Sequence, residues 1–215
     1  MKFPVRGQPS AVKCNPIDRC RLDPGSERSI YMAQKFEVSQ WVPFRLEVVF
    51  AYFANPDELP LLMPPRMETR IEELDLIAPK KARPAVPPLV GKLPGVAAGE
   101  DSEILISFCP FAWPRVRMKA RVRITEFEWN NHFCDEQIQG PFHQFDHRHT
   151  TKAMVRKGVQ GTLVTDAIEY SLPFGAIGSL GNGMIRRNLE EAFAHRQKRL
   201  TEVLTAAARL ASQCG

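Results

Sequence analysis

A chain of 215 residues with 44% hydrophobic residues has the size of one ordinary domain and the means to bury a sizeable core, which excludes wholesale disorder. No run approaches the ~20 consecutive apolar residues of a bilayer-spanning helix, and the segment after Met1 lacks the apolar stretch of a secretory signal, so the expected compartment is cytoplasmic. Cys14, Cys20, Cys109, Cys134 and Cys214 are scattered without CxxC spacing, which argues against a disulfide framework or a zinc knuckle, and a net charge of +5 is too mild to name a partner.

Residues Met1 to about Ile30 carry Pro4, Pro9, Pro16 and Pro24 without periodicity, so 1–31 is expected to be a flexible N-terminal extension. Patterned sequence begins near Met32, which makes Met32 a second candidate start beside Met1 and 32–215 the expected single domain. Lys35 to Val42 reads as a strand. Pro43 then opens a helix in which Leu46, Val49, Phe50 and Phe53 recur at i, i+3, i+4 and i+7. Asn55-Pro56 ends it, and a second short helix around Asp57 to Leu62 stops at Pro64-Pro65.

Strand patterns follow at about Met67 to Ile77, Glu103 to Phe108, Arg115 to Trp129, Phe133 to Gln139, Phe142 to Val155 and Thr162 to Ser171. Between the first two lies a proline-rich, basic connection at about 78–102, expected to be mobile or a lid. Beyond Gly183, positions Ile185, Leu189, Ala192, Phe193, Leu200, Val203, Leu204, Ala207 and Leu210 form one face of a long amphipathic helix. Short turns between consecutive strands cannot make parallel crossovers, so the sheet should be antiparallel. The predicted class is α+β: a curved antiparallel sheet of about seven strands wrapped around a long C-terminal helix, with two short helices after the first strand.

That element order resembles the START-related helix-grip superfamily, often labelled SRPBCC. The words that carry the resemblance are Phe36-Glu37-Val38-Ser39 with Pro43, Val49-Phe50, Phe53 and Asn55-Pro56; Ile124-Thr125-Glu126-Phe127; and Phe133, Asp135-Glu136-Gln137, Gly140-Pro141-Phe142, His147, His149, Gly161-Thr162, Asp166, Tyr170 and Pro173-Phe174-Gly175. The last run is similar to a bacterial ligand-binding, polyketide cyclase/dehydratase-like subgroup. The resemblance implies a helix-grip fold with an internal cavity. It does not imply a reaction, because one scaffold serves carriers, receptors and enzymes.

Alternation along strands puts Phe145, His147, His149 and Thr151 on one face, and Thr162, Val164, Asp166, Ile168 and Tyr170 on one face of the next strand, with Phe133, Asp135 and Gln137 a comparable set on the preceding one. If these faces point inward, a polar patch sits in an apolar cup. We therefore expect Phe133, Asp135, Gln137, Phe145, His147, His149, Asp166 and Tyr170 to contact a ligand, joined by Ile185, Leu189 and Phe193 from the helix. His147, His149 and Asp166 are the candidate acid/base groups if a reaction occurs; the plainer alternative is a self-satisfied buried network.

His147-x-His149 with Asp166 or Asp135 has the ingredients of a metal site, but the spacing fixes no third ligand, and no metal or other cofactor is expected. Arg115, Arg117, Lys119, Arg121 and Arg123 alternate with apolar residues and make a basic stripe. Without interleaved aromatics, and with Glu126, Glu128, Asp135, Glu136 and Glu169 available nearby, it reads better as a solvated face than as a nucleic-acid surface; peripheral contact with an anionic membrane is a further option. The sequence has no GxSxG, P-loop or GxGxxG. The leading expectation is binding or carriage of a small hydrophobic or amphipathic ligand such as a lipid, quinone or polyketide. The alternatives are a cyclase/dehydratase-type enzyme using the same cavity, and a macromolecular interaction module using the basic stripe.

Overall fold

The structure, a computed structural model, describes residues 33–84, 96–111, 113–173 and 181–213. The expected arm over 1–31, the alternative start at Met32, the middle of the proline-rich connection and the Phe174-Gly175 end of the quoted motif lie outside these residues, as do the side chains of Ala207 and Leu210.

Strands Gln34–Val42 (β1), Arg70–Asp75 (β2), Glu103–Phe108 (β3), Met118–Glu128 (β4), His132–Gln139 (β5), Gln144–Arg156 (β6) and Val159–Ser171 (β7) form one antiparallel sheet in the order β1-β7-β6-β5-β4-β3-β2. From β2 to β7 each strand pairs with its successor, and β1 closes against β7. The β6–β7 hairpin turns on two residues, Lys157 and Gly158, both at positive φ (51° and 77°), the backbone shape whose twist matches the strands it joins. Helix α1 (Leu46–Phe53) and the one-turn α2 (Leu59–Leu62) precede β2, and α3 (Asn182–Gln213) ends the fold. Asn55 starts the turn between α1 and α2 by accepting a hydrogen bond from the Asp57 backbone amide on its side-chain oxygen.

Two buried clusters lie on the sheet's inner face. The larger joins Val49, Phe50 and Phe53 of α1 to Ile124, Phe133 and Val164 of the sheet and to Leu200 and Leu204 of α3. The smaller joins Phe36, Ile168, Tyr170 and Phe193, with Ile185 and Leu189 packed against it. The helix thus changes partners along its length. Its C-terminal half belongs to the main core and its N-terminal half to the smaller cluster.

Local contacts hold the described ends of the 78–102 connection. Ala98 and Gly99 donate backbone hydrogen bonds to the carbonyls of Ala54 and Ile77, the Trp129 indole donates to the Lys81 carbonyl, and the Arg83 guanidinium lies 5.0 Å over the Trp129 ring.

The basic stripe is shorter as a strand than its pattern suggests, because Phe108, the last residue of β3, pairs with Met118 and leaves no strand among the described residues opposite 115–117. Its arginines form ion pairs with carboxylates outside the expected set, although Glu136 of that set is the cross-strand partner of Arg123. Arg115 and Arg117 pair with Glu68, Arg121 with Glu73 and Glu103, and Arg123 with Glu103, all from β2, β3 or the turn before β2, while Glu126 is engaged by Arg148 and His132.

One close approach gives a test of the β1–β7 seam. A Cβ on Gly161 would lie 2.4 Å from the Val42 carbonyl oxygen and 2.6 Å from the Trp41 ring. Gly161→Ala is therefore expected to destabilise the fold by about 1–3 kcal/mol, the usual range for forced overpacking. It would be read as a lower urea midpoint at constant slope; an unchanged midpoint would mean the seam opens at no cost.

Candidate ligand-binding site

Between the sheet, α1, α2 and the N-terminal half of α3 lies a cavity of about 270 Å³. Its wall is mostly apolar, with Phe53 and Leu62 from the short helices, Ile104, Val122 and Ile124 from the sheet, and Leu189 from α3. Asn55, Thr69 and Asn188 border it too, and a dense polar cluster forms where strand pairing brings inward-facing residues together: Asp135 is the cross-strand partner of His147, and His149 that of Asp166.

The resulting cluster is buried and dense. His147 Nε2 lies 3.2 Å and His149 Nδ1 2.7 Å from Asp166 Oδ1, while His149 Nε2 lies 3.2 Å and His147 Nδ1 3.8 Å from Asp135 Oδ1. Arg196 of α3 completes it, with Nη1 3.4 Å from Asp166 Oδ1 and Nη2 3.4 Å from His149 Nδ1. Aromatic rings hold these groups in place. Phe133 stacks on His149 at 4.2 Å between centroids, and the Arg196 guanidinium lies 4.5 Å over Phe53 and 5.5 Å over Phe193.

Burial would raise the Asp166 carboxyl pKa, but the Arg196 charge and the two imidazole contacts hold it well below the usual range. Asp135 is likewise held down, against burial, by its hydrogen bond with His149 and by the charges of His147, His149 and Arg196. Burial lowers His147, and the neighbouring His149 charge lowers it further. In His149, contacts with both carboxylates outweigh burial and raise it. The two imidazoles, side by side at 3.8 Å between centroids, are thus driven in opposite directions.

Of the residues expected to contact a ligand, Phe133, Asp135, Phe145, His147, His149, Ile185, Leu189 and Phe193 line the cavity. Gln137, Asp166 and Tyr170 are not in its wall. The Gln137 side chain is spent on its own turn, donating to the Phe142 carbonyl and accepting from the Phe142 amide. Asp166 contacts both imidazoles without itself reaching the cavity surface, and Tyr170 packs under Phe142 at 5.7 Å. The main residue that sequence reasoning missed is Arg196. Its signal was present, since it falls three positions after Phe193 and four before Leu200, a charge inside the apolar stripe.

Two buried polar atoms of the cavity-lining residues have no hydrogen-bond partner, Arg196 Nε and Thr69 Oγ1. Among the described residues no helix is long and apolar enough to cross a membrane.

No family model matches this chain, and no curated protein matches it in sequence. Solved structures do match its shape. TTHA0849 from Thermus thermophilus aligns with a TM-score of 0.52 at 16% identity, over 81% of this chain and 99% of that one. Norcoclaurine synthase from Thalictrum flavum, in complex with dopamine and hydroxybenzaldehyde, aligns with a TM-score of 0.53 at 11% identity, over 96% and 97%. Ms6760 from Mycobacterium smegmatis aligns with a TM-score of 0.51 at 12% identity, over 80% and 91%. These likenesses show the fold, a helix-grip fold.

Proposed function

We propose that this chain binds a small amphipathic molecule, seating its apolar body against the sheet and α3 and turning an oxygen-bearing end toward His147, His149 and Arg196. The observation that carries this reading is the pairing of a largely apolar cavity with a buried polar cluster in which Arg196 Nε has no hydrogen-bond partner. A buried donor left unsatisfied costs about 1–3 kcal/mol, which a ligand's carbonyl, carboxylate or hydroxyl oxygen would recover. The volume bounds the ligand's size. At about 270 Å³ the cavity sits just under the ~300–1,000 Å³ of most small-molecule pockets, which favours a one- or two-ring compound or a medium-length acyl group over a two-chain lipid.

Displacement of an apolar fluorescent anion such as 1-anilinonaphthalene-8-sulfonate tests the reading. Alkanoic acids and phenolic ketones should displace it better than hydrocarbons of equal size. Leu189→Trp, which fills the cavity, should weaken displacement affinities by ~tenfold or more, about 1.4 kcal/mol. Equal affinities for hydrocarbons and oxygenated compounds, unaffected by Leu189→Trp, would place the binding elsewhere.

A second reading, acid/base chemistry on a bound carbonyl compound, is favoured by the opposed shifts of His147 and His149, since groups driven apart in this way can serve as base and acid. The dopamine and hydroxybenzaldehyde held by norcoclaurine synthase are small aromatic compounds of fitting size, although at 11% identity that likeness speaks for the fold alone. Turnover of poly-β-ketone substrates decides it. Activity that survives His147→Ala, His149→Ala and Asp166→Asn unchanged would remove these residues from any such role. The macromolecular reading is the weakest of the three, because the stripe's four arginines are paired with carboxylates.

A further inference from the structure

Four imidazole nitrogens in the cluster face carboxylate oxygens, and with a metal ion bound two neutral imidazoles would keep only two N–H groups between them. The shorter contact made by each ring takes its proton. His149 Nδ1 at 2.7 Å from Asp166 Oδ1 must be protonated, because two bare acceptors at that distance repel, and Arg196 Nη2 at 3.4 Å is too distant to relieve them. His147 Nε2, 3.2 Å from the same oxygen against 3.8 Å for Nδ1 and Asp135, donates likewise to Asp166. What remains is His149 Nε2, His147 Nδ1 and Asp135 Oδ1, which converge in the cavity wall; without an ion His149 Nε2 donates to Asp135 Oδ1 at 3.2 Å, a proton that metal binding would displace.

We propose that Asp135, His147 and His149 hold a divalent transition-metal ion, and that Asp166 is the outer carboxylate that fixes the orientation of both imidazoles. The dimensions suit it. Bonds of about 2.0–2.1 Å put the corners of a tetrahedron about 3.3 Å apart, and the Asp135 oxygen lies 3.2 and 3.8 Å from the two nitrogens, with one ligand atom from each residue inside a 4.8 Å span. Ligating histidines ordinarily donate their other ring N–H to a carboxylate, and here one carboxylate serves both, itself compensated by Arg196. Two imidazoles and one carboxylate select zinc, cobalt, nickel or iron over calcium or magnesium, which prefer oxygen ligands. Because the three ligands line the cavity, the ion's open position faces whatever occupies it. The spacing of His147 and His149 fixed no third ligand in sequence; the β5–β6 register supplies it.

The test is a Co²⁺ titration of the full chain after dialysis against a chelator, followed by its visible d–d absorption and by competition with Zn²⁺. One equivalent should bind with the intense band of a tetrahedral site. Asp135→Asn and His147→Ala should abolish the band, and Asp166→Asn should weaken affinity about 10–100-fold while keeping it. Proton NMR of the unmutated Co²⁺ form gives a check independent of how the variants fold, with two hyperfine-shifted exchangeable imidazole N–H signals expected. The absence of a saturable band, a band indifferent to Asp135→Asn and His147→Ala, or a doubly protonated His149 in excess Zn²⁺ at neutral pH would each overturn the proposal. These outcomes are read without the amphipathic ligand, so they stand or fall apart from it.

Discussion

Arg196→Met is expected to lower the stability of the apoprotein by about 3–5 kcal/mol, the usual consequence of removing one partner of a buried ion pair and leaving the other. The partner left behind is Asp166, buried beside two imidazoles that already share its oxygen. Methionine keeps the unbranched stem that packs between Phe53 and Phe193, so the loss reports the charge more than the packing. Removing the stranded carboxylate as well should restore stability. In a double-mutant cycle, Arg196→Met with Asp166→Asn should recover more than half of the loss, read from urea midpoints at constant slope. A midpoint for Arg196→Met equal to that of the parent would mean that the guanidinium does not support the cluster.

The second large effect separates the two halves of α3. Leu204 is 1% exposed and sits in the main core with Leu200 and the α1 aromatics. Leu204→Ala should therefore cost the ~2–5 kcal/mol typical of a buried leucine whose site cannot collapse. Leu189 is only partly buried and borders space that is already open, so Leu189→Ala removes fewer packed contacts and leaves less new void. Its expected signature is a smaller midpoint shift together with a preference for larger ligands in the displacement series. Equal destabilisation by the two substitutions, with no change in ligand preference, would erase the division between core and cavity wall.

Period-2 and period-3.6 patterns carried most of the fold. β1, α1, β5 to β7 and α3 stand within a few residues of where alternation and the i, i+3, i+4 stripe place them, because each buries one face and the burial writes the pattern. Where pairing rather than patterning sets the limit, sequence reasoning overran. Arg115 to Arg117 alternate as well as the residues after them but have no opposite strand among the described residues, since β3 stops at Phe108. The candidate site was legible as a set of faces: His147 and His149 on one strand, Asp135 and Asp166 on others. Their convergence depended on register, which is fixed by hydrogen bonding between segments far apart in the chain and leaves no local mark. The identities of the stripe's carboxylates were hidden for the same reason. Glu68, Glu73 and Glu103 reach it from the turn before β2, from β2 and from β3, on the side of β4 opposite β5.

The central claim is that the cavity between α3 and the sheet receives a small amphipathic molecule, and native mass spectrometry of the intact chain tests it most directly. The protein, gently purified and then incubated with a panel of alkanoic acids, phenolic ketones and size-matched hydrocarbons, should show a one-to-one adduct with an oxygen-bearing compound. The same adduct should vanish in Leu189→Trp, which occupies the cavity, and persist in an exposed control such as Val155→Thr on the β6–β7 hairpin. A spectrum that shows only the bare chain throughout, or an adduct equally abundant in Leu189→Trp, would contradict the account.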